Sequence, residues 1–209
     1  VARDLIDENN PLTLSPANRA SPELTLAAGI ASLSRMLEHG ASAQVRLKHA
    51  AEVLQRAFDF QRVVLCVKHP ASAAFGIRMV AGKMPHTTQA QLELAHTGQQ
   101  DLFHVAVARQ ADIYIRDVTD PKLQASLPPW FKSAFPDAKS FLLLPVGDQD
   151  GAVGFFYADH GRANVQGLTA EEMRLLKTLK QAMRSATREE QAAVDGGFAP
   201  APPPQSPET

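Results

Sequence analysis

Two kinds of apolar pattern divide this chain. In one, apolar positions recur every third or fourth residue, as on one face of a helix; in the other they run on without a polar break, as in a strand covered on both faces. The helical kind comes first. Ser21-Pro22-Glu23 offers an N-cap, a first-turn proline and an early acid, and Leu26, Ile30, Leu33 and Leu37 follow before Gly40. Ser42 caps a second helix whose face is Leu47, Ala50, Leu54 and Phe58, ending at Asp59. Near the C-terminus Thr169-Ala170-Glu171-Glu172 reads as a capping box with Leu168 and Met173 as its hydrophobic staple, and Leu175, Leu179, Ala182 and Ala186 form the buried stripe of a third helix.

The strand kind is clearest in SFLLLPVGDQDGAVGFFYADH, residues Ser140 to His160. Phe141 to Val146 and Val153 to Tyr157 are apolar at successive positions around an Asp/Gly loop, so the pattern predicts a hairpin in a sheet with both faces covered. Arg62 to Lys68 and Gly76 to Ala81 are rich in β-branched residues and pair as neighbours across PASAAF, and Asp112 to Arg116 is a further short strand. The intervening segments are irregular: a short helix over Thr88 to His96, a helical stretch over Asp101 to Gln110, and Pro121 to Phe135, where prolines around Trp130 favour helical turns. The last two are too broken to be packing helices and too apolar to be free loops. They are expected to fold over the sheet as a lid.

At both ends the pattern fades. Residues 1–20 read as a linker or arm, 21–190 as the folded domain and 191–209 as a Pro-rich disordered tail. The opening VARDLIDENN lacks an initiator Met, as expected of an excised domain whose sequence opens inside a linker.

Composition narrows the function classes. The chain has 209 residues, 44% of them hydrophobic, enough for one domain with a real core. Lys+Arg 21 against Asp+Glu 22 leaves a net charge of -1, so no nucleic-acid or membrane partner is expected. Apolar runs fall short of the ~18 residues of a membrane span, and the lone cysteine, Cys66, fits a reducing compartment; both point to a cytoplasmic protein. Cys66 lies between Leu65 and Val67 and reads as a packing residue.

Apparent chemistry elsewhere dissolves. GIRMVAGK at Gly76 to Lys83 has one residue too many for a phosphate loop and no Ser or Thr after its lysine. The histidines show no metal-ligand spacing, and no GxSxG elbow presents a serine nucleophile, so neither metal, cofactor nor catalytic residue is expected. Arg174, Lys177, Lys180, Arg184 and Arg188 line the last helix beside Glu171, Glu172, Glu189 and Glu190, which reads as a solvated face.

The order helix, helix, strand, strand, lid, strand, lid, strand, strand, helix is similar to that of a GAF domain. The resemblance is carried by FDFQRVVLCVKH, by DVTDP followed by PPWFKSAFPDAKSFLLLPV, and by GAVGFFYADH, and it spans roughly Ser21 to Glu190. It is most like the GAF-type C-terminal region found after HDOD output domains in bacterial signalling proteins. What the resemblance implies is an α+β fold: an antiparallel sheet with the N- and C-terminal helices packed on one face and an irregular helical lid over a pocket on the other. It also implies a possible small-molecule ligand and a neighbouring output domain. The NKFDE-type pattern of cyclic-nucleotide-binding GAF domains is absent, and no lid cysteine is present to anchor a bilin.

On the lid side Arg78, His104, Asp117, Trp130 and Tyr157 are the candidate ligand-binding residues. Arg78 and His104 would suit a small anion or carboxylate, with Trp130 stacking on a planar part. Each has a plainer reading: Arg78 facing water or bonding Asp117, His104 at the surface, Trp130 capping the core, and Asp117 closing a turn through its own backbone. Three functions follow. The chain is a ligand-sensing regulatory module; or a degenerate GAF scaffold whose pocket is filled by residues such as Phe75, Phe103, Phe131 and Phe155; or a GAF-type enzyme such as a methionine sulfoxide reductase, which a single cysteine disfavours. The stripes of the first and last helices hold more apolar surface than one sheet face obviously takes up, which predicts a homodimer through a helical bundle.

Overall fold

The computed structural model describes residues 20–69, 74–84, 101–149, 151–164 and 166–196. The expected arm up to residue 19, the short helix expected over Thr88 to His96 and the tail from residue 197 lie outside the described residues. In chain order the described elements are α1 (Pro22–Glu38), α2 (Ala43–Phe58), β1 (Arg62–Lys68), β2 (Phe75–Gly82), α3 (Leu102–Arg109), β3 (Ile113–Ile115), α4 (Pro121–Gln124), α5 (Pro129–Ala134), β4 (Ser140–Asp148), β5 (Gly151–His160) and α6 (Ala170–Gly196). Helix α6 runs beyond Glu190 to Gly196, into the first residues of the expected tail, where Gln191, Ala192 and Ala193 are good helix formers.

Local signals set the helix starts. Ser21 Oγ accepts a hydrogen bond from Leu24 N at 3.3 Å, and Ser42 Oγ one from Val45 N at 3.4 Å. At the start of α6 the box is reciprocal: Thr169 N donates to Glu172 Oε2 at 2.6 Å and Glu172 N donates to Thr169 Oγ1 at 3.1 Å.

The strands form one antiparallel sheet in the order β2-β1-β5-β4-β3. Successive residues of the central strands feed two separate cores. Val63, Leu65, Val67, Leu142, Leu144, Phe156 and Ala158 face one way and pack under α1, α2 and α6. Val64, Cys66, Phe141, Leu143, Phe155 and Tyr157 face the other way and pack under α3, α4, α5 and their connections. This is why neither strand of the hairpin alternates with polar residues.

The terminal stripes are taken up within the chain. Leu26, Leu33, Leu175, Leu179 and Ala186 are buried, Ile30 and Ala182 pack against the same core, and of the two stripes Leu37 alone stays largely exposed. Most of the apolar stripe that suggested a two-copy bundle is therefore taken up within the chain, because α1, α2 and α6 pack on one another as well as on the sheet.

Close approach of α1 and α2 depends on Gly29, a residue that otherwise weakens a helix interior. A Cβ there would lie 2.6 Å from Cγ2 of Val53. Gly29→Val is expected to force the two helices apart and lower stability by about 1–3 kcal/mol in urea unfolding. Adding Val53→Ala should restore part of that loss; no restoration would place the clash elsewhere.

Candidate functional site

The lid face of the sheet is the natural place to look for a site, and among the described residues its content is mostly aromatic. Phe103 from α3 sits at the centre, with ring centroids of Trp130 at 4.9 Å, Phe141 at 5.8 Å, Phe131 at 5.9 Å and Tyr157 at 6.2 Å. Phe135 stacks on Tyr157 at 4.2 Å, and Phe75 meets Phe155 at 5.5 Å. Such pairs add about 0.5–1.5 kcal/mol each beyond their buried area. Cys66 lies in the floor of this layer, fully buried, and burial pushes its thiol far above the ordinary range.

A polar cluster closes one end of the same face. Arg62 opens β1 with the parity of Val64, and the register places it directly opposite Asp159 of β5. Both are buried, at 1% and 0% exposure. Arg62 Nε donates to the two carboxylate oxygens of Asp159 at 2.9 and 2.8 Å, and Tyr157, two residues earlier on the same face of β5, donates its hydroxyl to Asp159 Oδ2 at 2.6 Å. Arg62 Nη2 donates to Asp137, just beyond α5, and the guanidinium carbon lies 5.2 Å from the centroid of the Phe135 ring. One buried cation thus fixes the end of the lid to the sheet.

Burial raises the carboxyl of Asp159, opposed by the bonds from Tyr157 and Arg62. Burial also holds the Tyr157 hydroxyl well above its usual range, and the charge of Asp159 adds to the effect. The cluster satisfies itself, with carboxylate, guanidinium and phenol each engaged by another member. It holds structure together and presents no free base or nucleophile.

His160 follows Asp159 and is also buried, with its ring 4.6 Å from that of Phe60. Burial lowers its imidazole below the ordinary value, with Arg162 adding to the shift and Asp59 opposing it.

The structure separates the residues singled out in the sequence. Trp130 and Tyr157 belong to the aromatic layer. His104 lies on α3, half-buried, with Nδ1 2.9 Å from Oδ2 of Asp101, the residue that caps the helix. Asp117 accepts from Thr119 N at 2.8 Å and Thr119 Oγ1 at 2.6 Å, the local turn expected from DVTDP. Arg78 is on the other side. A bulge between Leu65 and Cys66 makes it the unpaired extra residue of β2, and its Nε donates to Glu190 of α6, so it bonds neither Asp117 nor the lid. Arg62, Asp137 and Asp159 are the members that sequence reading missed. Arg62 and Asp159 carried a signal, as charged residues at the ends of otherwise apolar strands, and Asp137, outside the strands, carried none.

Among the described residues no group of three or more His, Cys, Asp or Glu side chains converges as a metal site, and no helix is long and apolar enough to cross a membrane. No protein-family model and no curated protein matches the chain. Solved structures do. The GAF domain of a phosphoenolpyruvate-protein phosphotransferase from Coxiella burnetii superposes with a TM-score of 0.64 at 15% identity, over 85% of this chain and 100% of that one. The fold is that of a GAF domain. A free methionine-R-sulfoxide reductase from Neisseria meningitidis in complex with its substrate gives 0.61 at 13% identity, covering 83% and 95% of the two chains. Residues 122 to 287 of a methyl-accepting chemotaxis protein give 0.58 at 18%, covering 78% and 98%. The five-stranded antiparallel sheet with helices on one face and a helical lid on the other is thus a GAF-type α+β fold.

Removing one partner of the interior pair strands the other charge. Asp159→Ala should destabilise by about 3–5 kcal/mol, whereas Arg62→Met with Asp159→Leu should recover most of the loss. A cost below about 1 kcal/mol for Asp159→Ala would show the pair to be solvated.

His160 predicts a pH dependence. Its folded value lies below the ordinary 6.5, so as pH falls the unfolded chain takes up the proton first and stability declines. Relative to His160→Gln, the wild type should lose stability below about pH 6.5, at no more than about 1.4 kcal/mol per pH unit. Parallel curves for the two proteins would refute this.

Proposed function

We propose that this chain is a non-enzymatic regulatory module of a signal-transduction protein, in which the lid face is a packed core and the terminal helices α1 and α6 connect to a neighbouring domain. One observation carries the reading: among the described residues Phe75, Phe103, Phe131 and Phe155 are all buried together on the lid face, where a small-molecule site would need open volume. The sequence resemblance to the region following HDOD domains in bacterial proteins supports a place beside an output domain. The reductase reading lacks support, because a thiol relay needs an accessible thiolate and a second cysteine, while Cys66 is the chain's lone cysteine and is buried.

A second reading, small-molecule sensing beneath the lid, draws on Trp130 and His104, which stay half-buried at the margin of the aromatic layer. Self-association of the module would draw on the exposed Leu24, Leu37 and Val45 of α1 and α2 in place of the buried stripes.

Thermal-shift screening of wild type and Trp130→Ala against amino acids, nucleotides and organic acids separates the two readings. No compound is expected whose stabilisation depends on Trp130; one that raises the Tm of the wild type and leaves Trp130→Ala unmoved would establish sensing. Phe103→Ala should cost about 3–5 kcal/mol if the ring is core.

A further inference from the structure

The basic residues of α6 read in the sequence as a salt-laced solvated face, but the fold directs the acids of that helix elsewhere. Glu171 accepts from Arg174, Glu172 closes the capping box, Glu189 accepts from Arg46 of α2, and Glu190 accepts from Arg78 of β2. What remains on one flank is Met173, Lys177, Lys180 and Arg184, spaced at i, i+4, i+7 and i+11 with no acid among them. Lys180 is held by Asp112, which precedes β3. Lys177 and Arg184 are exposed and carry no hydrogen bond or ion pair among the described residues.

Helix α6 packs on β1, β5 and β4, and between its flank and the start of β3 lies an open groove of about 480 Å³ lined by Gln110, Asp112, Met173, Lys177, Lys180 and Gln181. That volume is within the range of small-molecule sites and well beyond what a bare ion needs. The groove lies at the β3 edge of the sheet, where α6 meets the end of α3 and the residue that leads into β3.

We propose that this groove binds a small soluble phosphate monoester. Lys177 supplies the uncompensated positive charge, the remaining donors of Lys180 and the side-chain amide of Gln181 face the head group, and Met173 provides an apolar, polarisable wall for the organic part. A phosphate monoester offers three terminal oxygens, so the separate donors of Lys177, Lys180 and Gln181 can each have an acceptor of its own, whereas a carboxylate offers two. The Asp112 carboxylate in the lining and the chain's net charge of -1 disfavour an extended polyanion. The proposal goes beyond the regulatory reading and is independent of the lid face, so screening results at Trp130 do not bear on it.

Titration of the ¹⁵N-labelled protein with phenyl phosphate at low ionic strength tests it. Saturable amide shifts are expected at Gln110, Lys177 and Lys180, with inorganic phosphate shifting the same residues more weakly and phenol leaving them unmoved. Lys177→Gln should weaken phenyl phosphate binding by about tenfold, and Lys48→Gln on α2 should leave it unchanged. The proposal is overturned by the absence of saturable shifts at these residues, or by equal affinity for wild type and Lys177→Gln. Sedimentation with phosphatidic acid vesicles in the absence of any phenyl phosphate response would assign the head group to a lipid surface, and would overturn it equally.

Discussion

The sheet has two apolar faces, and most of the structure answers that constraint. The central strands β1, β4 and β5 send alternate side chains into two separate hydrophobic layers, so neither face can be left to water. Long amphipathic helices cover one layer. The other is covered by shorter helices, α3 and the proline-started α4 and α5, which contribute large rings. The fold's asymmetry, smooth helices on one side and an aromatic patchwork on the other, follows from this division.

Charge is organised by the same geometry. Arg46 and Arg78 reach α6 from α2 and the edge strand β2, and they hold neighbouring glutamates, Glu189 and Glu190, near the helix's C-terminal end. The helix also lies close to the sheet at Gly154, where a Cβ would be 2.9 Å from Cγ2 of Thr187. Thr187, Glu189 and Glu190 thus tie one stretch of α6 to β5, α2 and β2 in turn. Each pair joins one buried and one half-exposed side chain, Arg46 with Glu189 and Glu190 with Arg78, so salt reaches both from one side.

How much of this was legible in the sequence depended on range. The capping box at Thr169 and Glu172, the Asx turn at Asp117 and the Ser21 and Ser42 caps involve residues within four positions of one another, and each reads directly from composition. The two-sided burial of β4 and β5 was legible because unbroken apolar runs leave no other cover. Arg62 and Asp159 were not legible as a pair, since 97 positions separate them and only the strand register brings them opposite. Arg78 was misplaced for a subtler reason. One extra residue in β2 reverses which face a side chain meets, and nothing in GIRMVAG marks the bulge. The acids of α6 were visible, but their partners lie in α2 and β2, so the helix was read as balanced when one flank is purely basic.

The fold alone leaves function open, since domains with this architecture include both a substrate-bound reductase and a chemotaxis-protein segment. Side chains narrow the choice. Arg62 is the guanidinium a lid-side anion would seek, yet its charge is already met by Asp159 and Asp137. Asp159 is fully buried and fixed by Tyr157, so an incoming anion would have to displace Asp137, the more exposed partner. Phe135, two residues earlier, stacks on Tyr157, so removing Asp137 would also unseat the last turn of the lid. Arg62 is therefore already matched by the contacts that seat Asp137 and Phe135, whereas Lys177 on α6 has no carboxylate partner among the described residues.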